Sequence, residues 1–193
     1  PYDWLHTYKI ADGGKWNVRH TASKAVFSQN LPGNYIYRKA VELTGPDSFV
    51  IAHQLRNTGA DTLKLRQYCH NLFTFGLSTV GPERMVEWDY PFAGTWREDN
   101  IHAVKDSTRI WMESPMETGQ KSYIGDLTVT VPQPGGYGFT LHCGEKSVSV
   151  HSDSPMSSSV FWSSWRVFCP EPFIDIVIPP GKTHRWKVEY RFD

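Results

Sequence analysis

Most of the features that announce a particular chemistry are scarce or missing in this sequence. It has three cysteines, Cys69, Cys143 and Cys169, odd in number and far apart, with no C-x-x-C pair. That argues against a disulfide framework or a thiolate metal centre and reads as reduced, buried thiols. No apolar run approaches the length that crosses a bilayer, so no membrane partner is expected. Residues 1–4 lack the basic and apolar regions of a secretory signal, which leaves the compartment open. Net charge is absent too, because 20 Lys plus Arg balance 20 Asp plus Glu. Without a basic surplus there is no electrostatic footprint for nucleic acid, and none is expected as a partner.

Short catalytic motifs are equally sparse. The phosphate-cradling patterns G-x-G-x-x-G and G-x-x-x-x-G-K-[ST] do not occur, nor does the G-x-S-x-G elbow. Gly135-Gly136-Tyr137-Gly138 follows prolines and precedes a strand-like segment, so it reads as a turn. The eight histidines form no H-x-H or H-x-x-x-H pair, so the spacing supports no metal and no cofactor. Only a metal site gathered from distant strands stays open. No stretch longer than two turns carries helical periodicity.

What the chain does have is apolar and aromatic mass. Its 193 residues are 39% hydrophobic, enough for one core and too many for a disordered chain. The 14% aromatic fraction favours strands and also suits sugar or base stacking. Period-two alternation dominates. In residues 184–192, Trp186, Val188, Tyr190 and Phe192 alternate with Arg185, Lys187, Glu189 and Arg191. Residues 126–131 repeat this with Leu127, Val129 and Val131, and residues 146–150 do so with Val148 and Val150. Residues 34–44 and 47–57 read as strands joined at Gly45-Pro46, and Asn57-Thr58-Gly59-Ala60-Asp61 as a turn into residues 63–70. Serine-rich 157–165 reads as a loop or bent strand. Residues 90–106, with Trp96, Arg97, Glu98, Asp99 and Asn100, read as a long loop where binding residues could sit. Strands at short spacing with Gly/Pro turns predict an all-β antiparallel sandwich or barrel in a single domain over residues 1–193.

Two segments carry candidate chemistry. The first is Gln67-Tyr68-Cys69-His70-Asn71-Leu72-Phe73. Counting back by twos puts His70 on one face with Tyr68, Arg66 and Lys64. That face is either plain solvent surface or a site. The second is Val167-Phe168-Cys169-Pro170-Glu171-Pro172-Phe173, with a lone carboxylate between two prolines in an apolar run. Glu171 is either a surface residue of a proline turn or a buried acid held rigidly for proton transfer.

These segments, in this order, resemble the galactose mutarotase-like (aldose 1-epimerase) superfamily. The supporting series is Asn57-Thr58-Gly59 closing a hairpin, the segment around His70, Gly81-Pro82-Glu83, Cys169-Pro170-Glu171-Pro172, and Pro180-Gly181-Lys182-Thr183 leading into Trp186 and Tyr190-Arg191-Phe192. The run Cys-His-Asn-Leu-Phe departs from the family's more usual Asn-His-aromatic run. The resemblance spans about the last two thirds of a family member. It implies a β-supersandwich short of the family's N-terminal strands, whose open edge takes a companion fragment or a dimer contact. It implies a monosaccharide or sugar derivative as the partner, with no metal or nucleotide. Glu171 would take the proton of the anomeric hydroxyl and His70 would protonate the ring oxygen, the two standing on opposite sides of one carbon. The ring would open, turn about C1–C2 and reclose. Arg66 by strand neighbourhood, Asn71 by motif and Trp96 by stacking are the implied sugar contacts. Two other readings share the scaffold: a non-catalytic carbohydrate-binding module, and the β domain of a larger carbohydrate-active lyase or hydrolase.

Overall fold

Alternating side chains become strands because an extended chain sends neighbours to opposite faces. The computed structural model describes residues 6, 7, 9, 12–76, 78–96 and 103–193, apart from the side chains of Thr95, Trp96 and Val104. In chain order the first strands are β1 (Trp16–His20), β2 (Lys24–Leu31), β3 (Tyr35–Gly45), β4 (Ser48–Asn57) and β5 (Leu63–Tyr68). Next come β6 (Arg84–Trp88), β7 (Phe92–Trp96), β8 (Ala103–Lys105), β9 (Arg109–Met112) and β10 (Lys121–Val129). The last are β11 (Gly138–Cys143), β12 (Lys146–Ser152), β13 (Ser158–Ser164), β14 (Phe168–Ile178) and β15 (Thr183–Phe192). Every pairing of these strands is antiparallel, and no helix occurs among the described residues.

Ten strands form one sheet in the order β1-β2-β3-β4-β15-β12-β11-β6-β9-β8, and five form the other, β5-β14-β13-β10-β7. The core lies between them. β14 contributes Ile174, Ile176 and Ile178, β15 contributes Trp186, Val188 and Tyr190, and Val86, Phe139, Leu141 and Phe161 complete its centre. β1 forms one edge of the large sheet, with Trp16 and Val18 each half exposed.

Several expectations need correcting. Asn57-Thr58-Gly59 does not close a hairpin. β4 already has β3 on one side and β15 on the other, so no edge is left for β5. The turn instead carries the chain from the large sheet to the small one. Buried Asn57 holds it there, donating Nδ2 to the carbonyls of Asp61 (2.7 Å) and Ile178 (2.8 Å) while Oδ1 accepts from Gly59 N at 2.9 Å. The strand expected over 126–131 begins earlier and ends sooner, at Val129. A bulge shifts its register between Ile124 and Leu127, with Asp126 at φ 51°, a left-handed conformation that Asp tolerates better than most residues. Residues 157–165 contain a regular strand. The expected loop over 90–106 narrows, because Phe92–Trp96 and Ala103–Lys105 are strands, while Arg97, Glu98, Asp99 and Asn100 lie outside the described residues. Of the three free cysteines only Cys169 is buried.

One buried titratable group links this core to pH. His53 on β4 stacks on Trp186 at 4.6 Å, and its Nδ1 meets Tyr37 Oη at 2.7 Å, while Nε2 has no partner. Burial, and secondarily Lys39, lowers its pKa to about 4. The folded form therefore keeps the ring neutral, whereas the unfolded chain takes up a proton near pH 6.5. Stability is full above that value and falls with decreasing pH until about 4, by up to about 3 kcal/mol. Urea titrations across this window are expected to show that slope, and His53→Phe is expected to flatten it.

Candidate functional site

The site begins with a defect in a ladder. β14 is an interior strand, yet it carries prolines at 170 and 172, which interior strands normally exclude because proline has no N–H. The prolines fit because β5 stops. β5 pairs with β14 from Leu63↔Ile178 to Tyr68↔Phe173, and the chain returns only at Phe73, which exchanges both backbone hydrogen bonds with Phe168 at 3.1 Å. Residues 169–172 therefore lack a backbone ladder on that side. By antiparallel alternation, residues 168, 170 and 172 point their backbone polar groups into this gap. Pro170 has no N–H to orphan there, and its carbonyl accepts from Asn71 Nδ2 at 3.1 Å.

The same alternation turns Cys169, Glu171 and Phe173 to the outer face of the small sheet, opposite the isoleucines. The gap lets the chain excursion lay His70 over Glu171, with Nδ1 at 2.9 Å from Oε1. The imidazole is 57% exposed and the carboxyl side chain 8%, so the histidine is the lid and the acid lies beneath it. Tyr68 Oη meets His70 Nε2 at 3.1 Å, fixing the ring at both nitrogens, and Tyr68 itself stacks on Phe173 at 4.6 Å. Cys169 Sγ–H donates to the same Oε1 at 3.3 Å. Burial first, and then the neighbouring Glu171, push this thiol well above its ordinary range, so it stays a donor at neutral pH.

Glu171 is therefore not a surface residue in a proline turn. It is a buried strand residue, and it touches His70 directly instead of facing it across a gap. Arg66 shares the outer face two positions from Tyr68. It is exposed, with Nε at 3.0 Å from Asp175 Oδ1, a pairing that contributes little in water. Asn71 turns inward: it is buried, donates to Pro170 and accepts from Tyr190 Oη at 2.8 Å. Trp96 ends β7 with its backbone opposite Ile124, and its side chain lies outside the described residues.

Sequence reasoning missed Cys169, although a step of two from Glu171 finds it. It also missed Tyr190, which braces Asn71 from the other sheet, and Trp162. Trp162 pairs with Cys169 on the neighbouring strand and so shares the outer face beside Glu171. Only strand pairing reveals it. Two surface hollows of about 320 Å³ each lie elsewhere, on the outer face of the large sheet. They share Arg38, and neither is lined by His70 or Glu171.

Neither protein-family models nor curated proteins match the sequence. Solved structures do. A galactose mutarotase-like protein from Lactobacillus casei superposes with a TM-score of 0.65 over 92% of this chain and 73% of its own, at 10% identity. The chain has the galactose mutarotase-like fold. A galactose mutarotase related enzyme from Lactobacillus acidophilus gives 0.64 over 92% and 71%, at 12% identity. An aldose epimerase homologue from C. elegans gives 0.62 over 93% and 68%, at 15% identity. At such identity the likeness is one of fold.

Within this galactose mutarotase-like fold, the Tyr190–Asn71 bond ties the His70 excursion to the large sheet. Tyr190→Phe would leave Asn71 Oδ1 buried without a donor, a loss of about 1–3 kcal/mol. Denaturant unfolding is expected to show that loss, together with faster amide exchange across residues 69–72.

Proposed function

We propose that the chain is an aldose 1-epimerase-like isomerase that interconverts sugar anomers with Glu171 and His70. The observation that carries the reading is the 2.9 Å contact between His70 Nδ1 and the covered Glu171 carboxyl, set on a fold shared with aldose epimerase-like proteins. The Glu171 carboxylate accepts the proton of the anomeric hydroxyl while the C1–ring-oxygen bond breaks. The ring oxygen takes a proton from His70 in its imidazolium form, which leaves a neutral imidazole. Rotation about C1–C2 and the reverse transfers give the other anomer. The two oxygens served are both bonded to C1, so acid and base work as close neighbours, and opposition across the carbon is not required. The reverse transfers leave Glu171 ionised and His70 protonated again, so the pair ends each turnover as it began. A sugar approaches from the His70 side, and the exposed imidazole is the group that moves. Tyr68 holds its far nitrogen, and Arg66 and Trp96 remain the proposed sugar contacts; Asn71, buried and bonded to Pro170 and Tyr190, is instead a positioning residue that holds the chain at His70.

A second reading, a carbohydrate-binding module without catalysis, draws support from the cover over Glu171 and from the aromatic outer face of Tyr68, Phe173 and Trp162. Polarimetry on freshly dissolved α-D-glucose, α-D-galactose and a pentose separates the two. Acceleration that drops by about 10² or more in both Glu171→Gln and His70→Asn supports the isomerase. Saturable sugar binding with no acceleration supports the module. An accelerated rate untouched by Glu171→Gln removes the acid–base assignment.

A further inference from the structure

Three donor atoms of different kinds converge at the covered carboxyl. One ring nitrogen of His70, Cys169 Sγ and one carboxylate oxygen of Glu171 all lie within 4.8 Å of one another. His70 Nδ1 stands 2.9 Å and Cys169 Sγ 3.3 Å from Glu171 Oε1. Four ligands arranged tetrahedrally around a zinc ion, at bonds of about 2.0–2.3 Å, stand roughly 3.3–3.8 Å apart. The trio therefore needs only small side-chain adjustments to reach that spacing.

We propose that His70, Cys169 and Glu171 form a binding site for a divalent cation of the zinc type, with water in the fourth position. A mixed nitrogen, sulfur and oxygen set suits zinc, whereas magnesium and calcium take oxygen ligands almost alone. The frame is stiff where it must be. Cys169 and Glu171 are alternate residues of one strand, and Pro170 and Pro172 restrict the backbone beside them. The third ligand is on the solvent side, where the exposed imidazole offers both an entry path and an open coordination position. A ligating histidine usually has its other ring nitrogen held by an oxygen, and Tyr68 Oη stands at 3.1 Å from His70 Nε2.

The exchange balances. Without metal, Glu171 Oε1 receives the Cys169 S–H and the His70 Nδ1–H. On binding, the thiol releases its proton to solvent and the neutral imidazole moves its proton to Nε2, which donates to Tyr68. A dication then faces one thiolate and one carboxylate, so the occupied site is neutral. The inference goes beyond the epimerase reading. The site takes metal whether or not the pair is catalytic, and where the pair is catalytic, the same ion occupies the lone pairs that proton transfer needs.

Cobalt(II) is the probe, because a cobalt–thiolate bond absorbs in the near ultraviolet. One equivalent added to the metal-free chain is expected to give that band, and zinc is expected to displace it. Cys169→Ser should abolish the band, Cys69→Ser and Cys143→Ser should retain it, and Glu171→Gln should weaken zinc at least tenfold by competition. Since Cys169 is buried, its variant is first checked for native circular dichroism. His70→Asn, altered on an exposed side chain, gives a second test and should also weaken zinc at least tenfold. A wild-type chain with no band, a band that survives Cys169→Ser, or zinc affinity indifferent to His70→Asn overturns the site. Metal-free polarimetry is read separately, so loss of the epimerase reading leaves the cobalt band in place, and loss of the metal site leaves the metal-free rate in place.

Discussion

A strand that carries two prolines two residues apart cannot be hydrogen-bonded through both on the side they face, and the site follows from that constraint. Pro170 and Pro172 sit on an interior strand, so the neighbour on their side has to leave. It leaves between Tyr68 and Phe73, and the residues that leave are Cys69, His70, Asn71 and Leu72. The missing N–H groups thus create the opening, and the chain that departs supplies the histidine that fills it. Glu171, between the two prolines, is the residue whose outer face the opening exposes to an incoming side chain.

The opening would be soft if it were not braced. Asn71 spans it, bonding Pro170 on the small sheet with its amide nitrogen while its oxygen accepts from Tyr190 on the large one. Tyr190 is buried and stacks on Phe49 at 4.6 Å, so the excursion is anchored in the core between the sheets. Burial pushes the Tyr190 phenol far above its ordinary range, which keeps it a donor. The placement of the imidazole therefore depends on packing from the other sheet, and Asn71 acts on His70 through the backbone.

Much of this was legible in the sequence where one strand explains itself. The alternation of Trp186, Val188 and Tyr190 gives the face that β15 buries, and Leu63 and Leu65 against Lys64 and Arg66 do the same for β5. The two site segments stand out by composition. Pairing is what a single strand cannot show. Whether Asn57 closes a hairpin depends on β15, which lies 126 residues later at its start, occupying the free edge of β4. The reading of Glu171 as a turn residue fails for a related reason. Two prolines signal a turn unless a neighbour strand is known to stop beside them. Trp162 and Tyr190 reach the site only through register and sheet packing, so no local pattern could nominate them.

A nearly covered carboxylate on an aromatic, sulfur-bearing surface has to be compensated, since leaving its charge desolvated and unpaired is costly. Here the compensation comes from two side chains, Cys169 and His70, meeting at one oxygen. One of them is fixed in a strand and the other rides on a short excursion that solvent can reach. The demand for compensation does not specify what provides it. A sugar hydroxyl that donates to the carboxylate satisfies it by giving up a proton, and a dication satisfies it by replacing the two hydrogens already present. Both outcomes use the same oxygen, and both require the imidazole to shift from where it rests. On the two proposals, proton transfer and cation capture compete because of how this one acid is held.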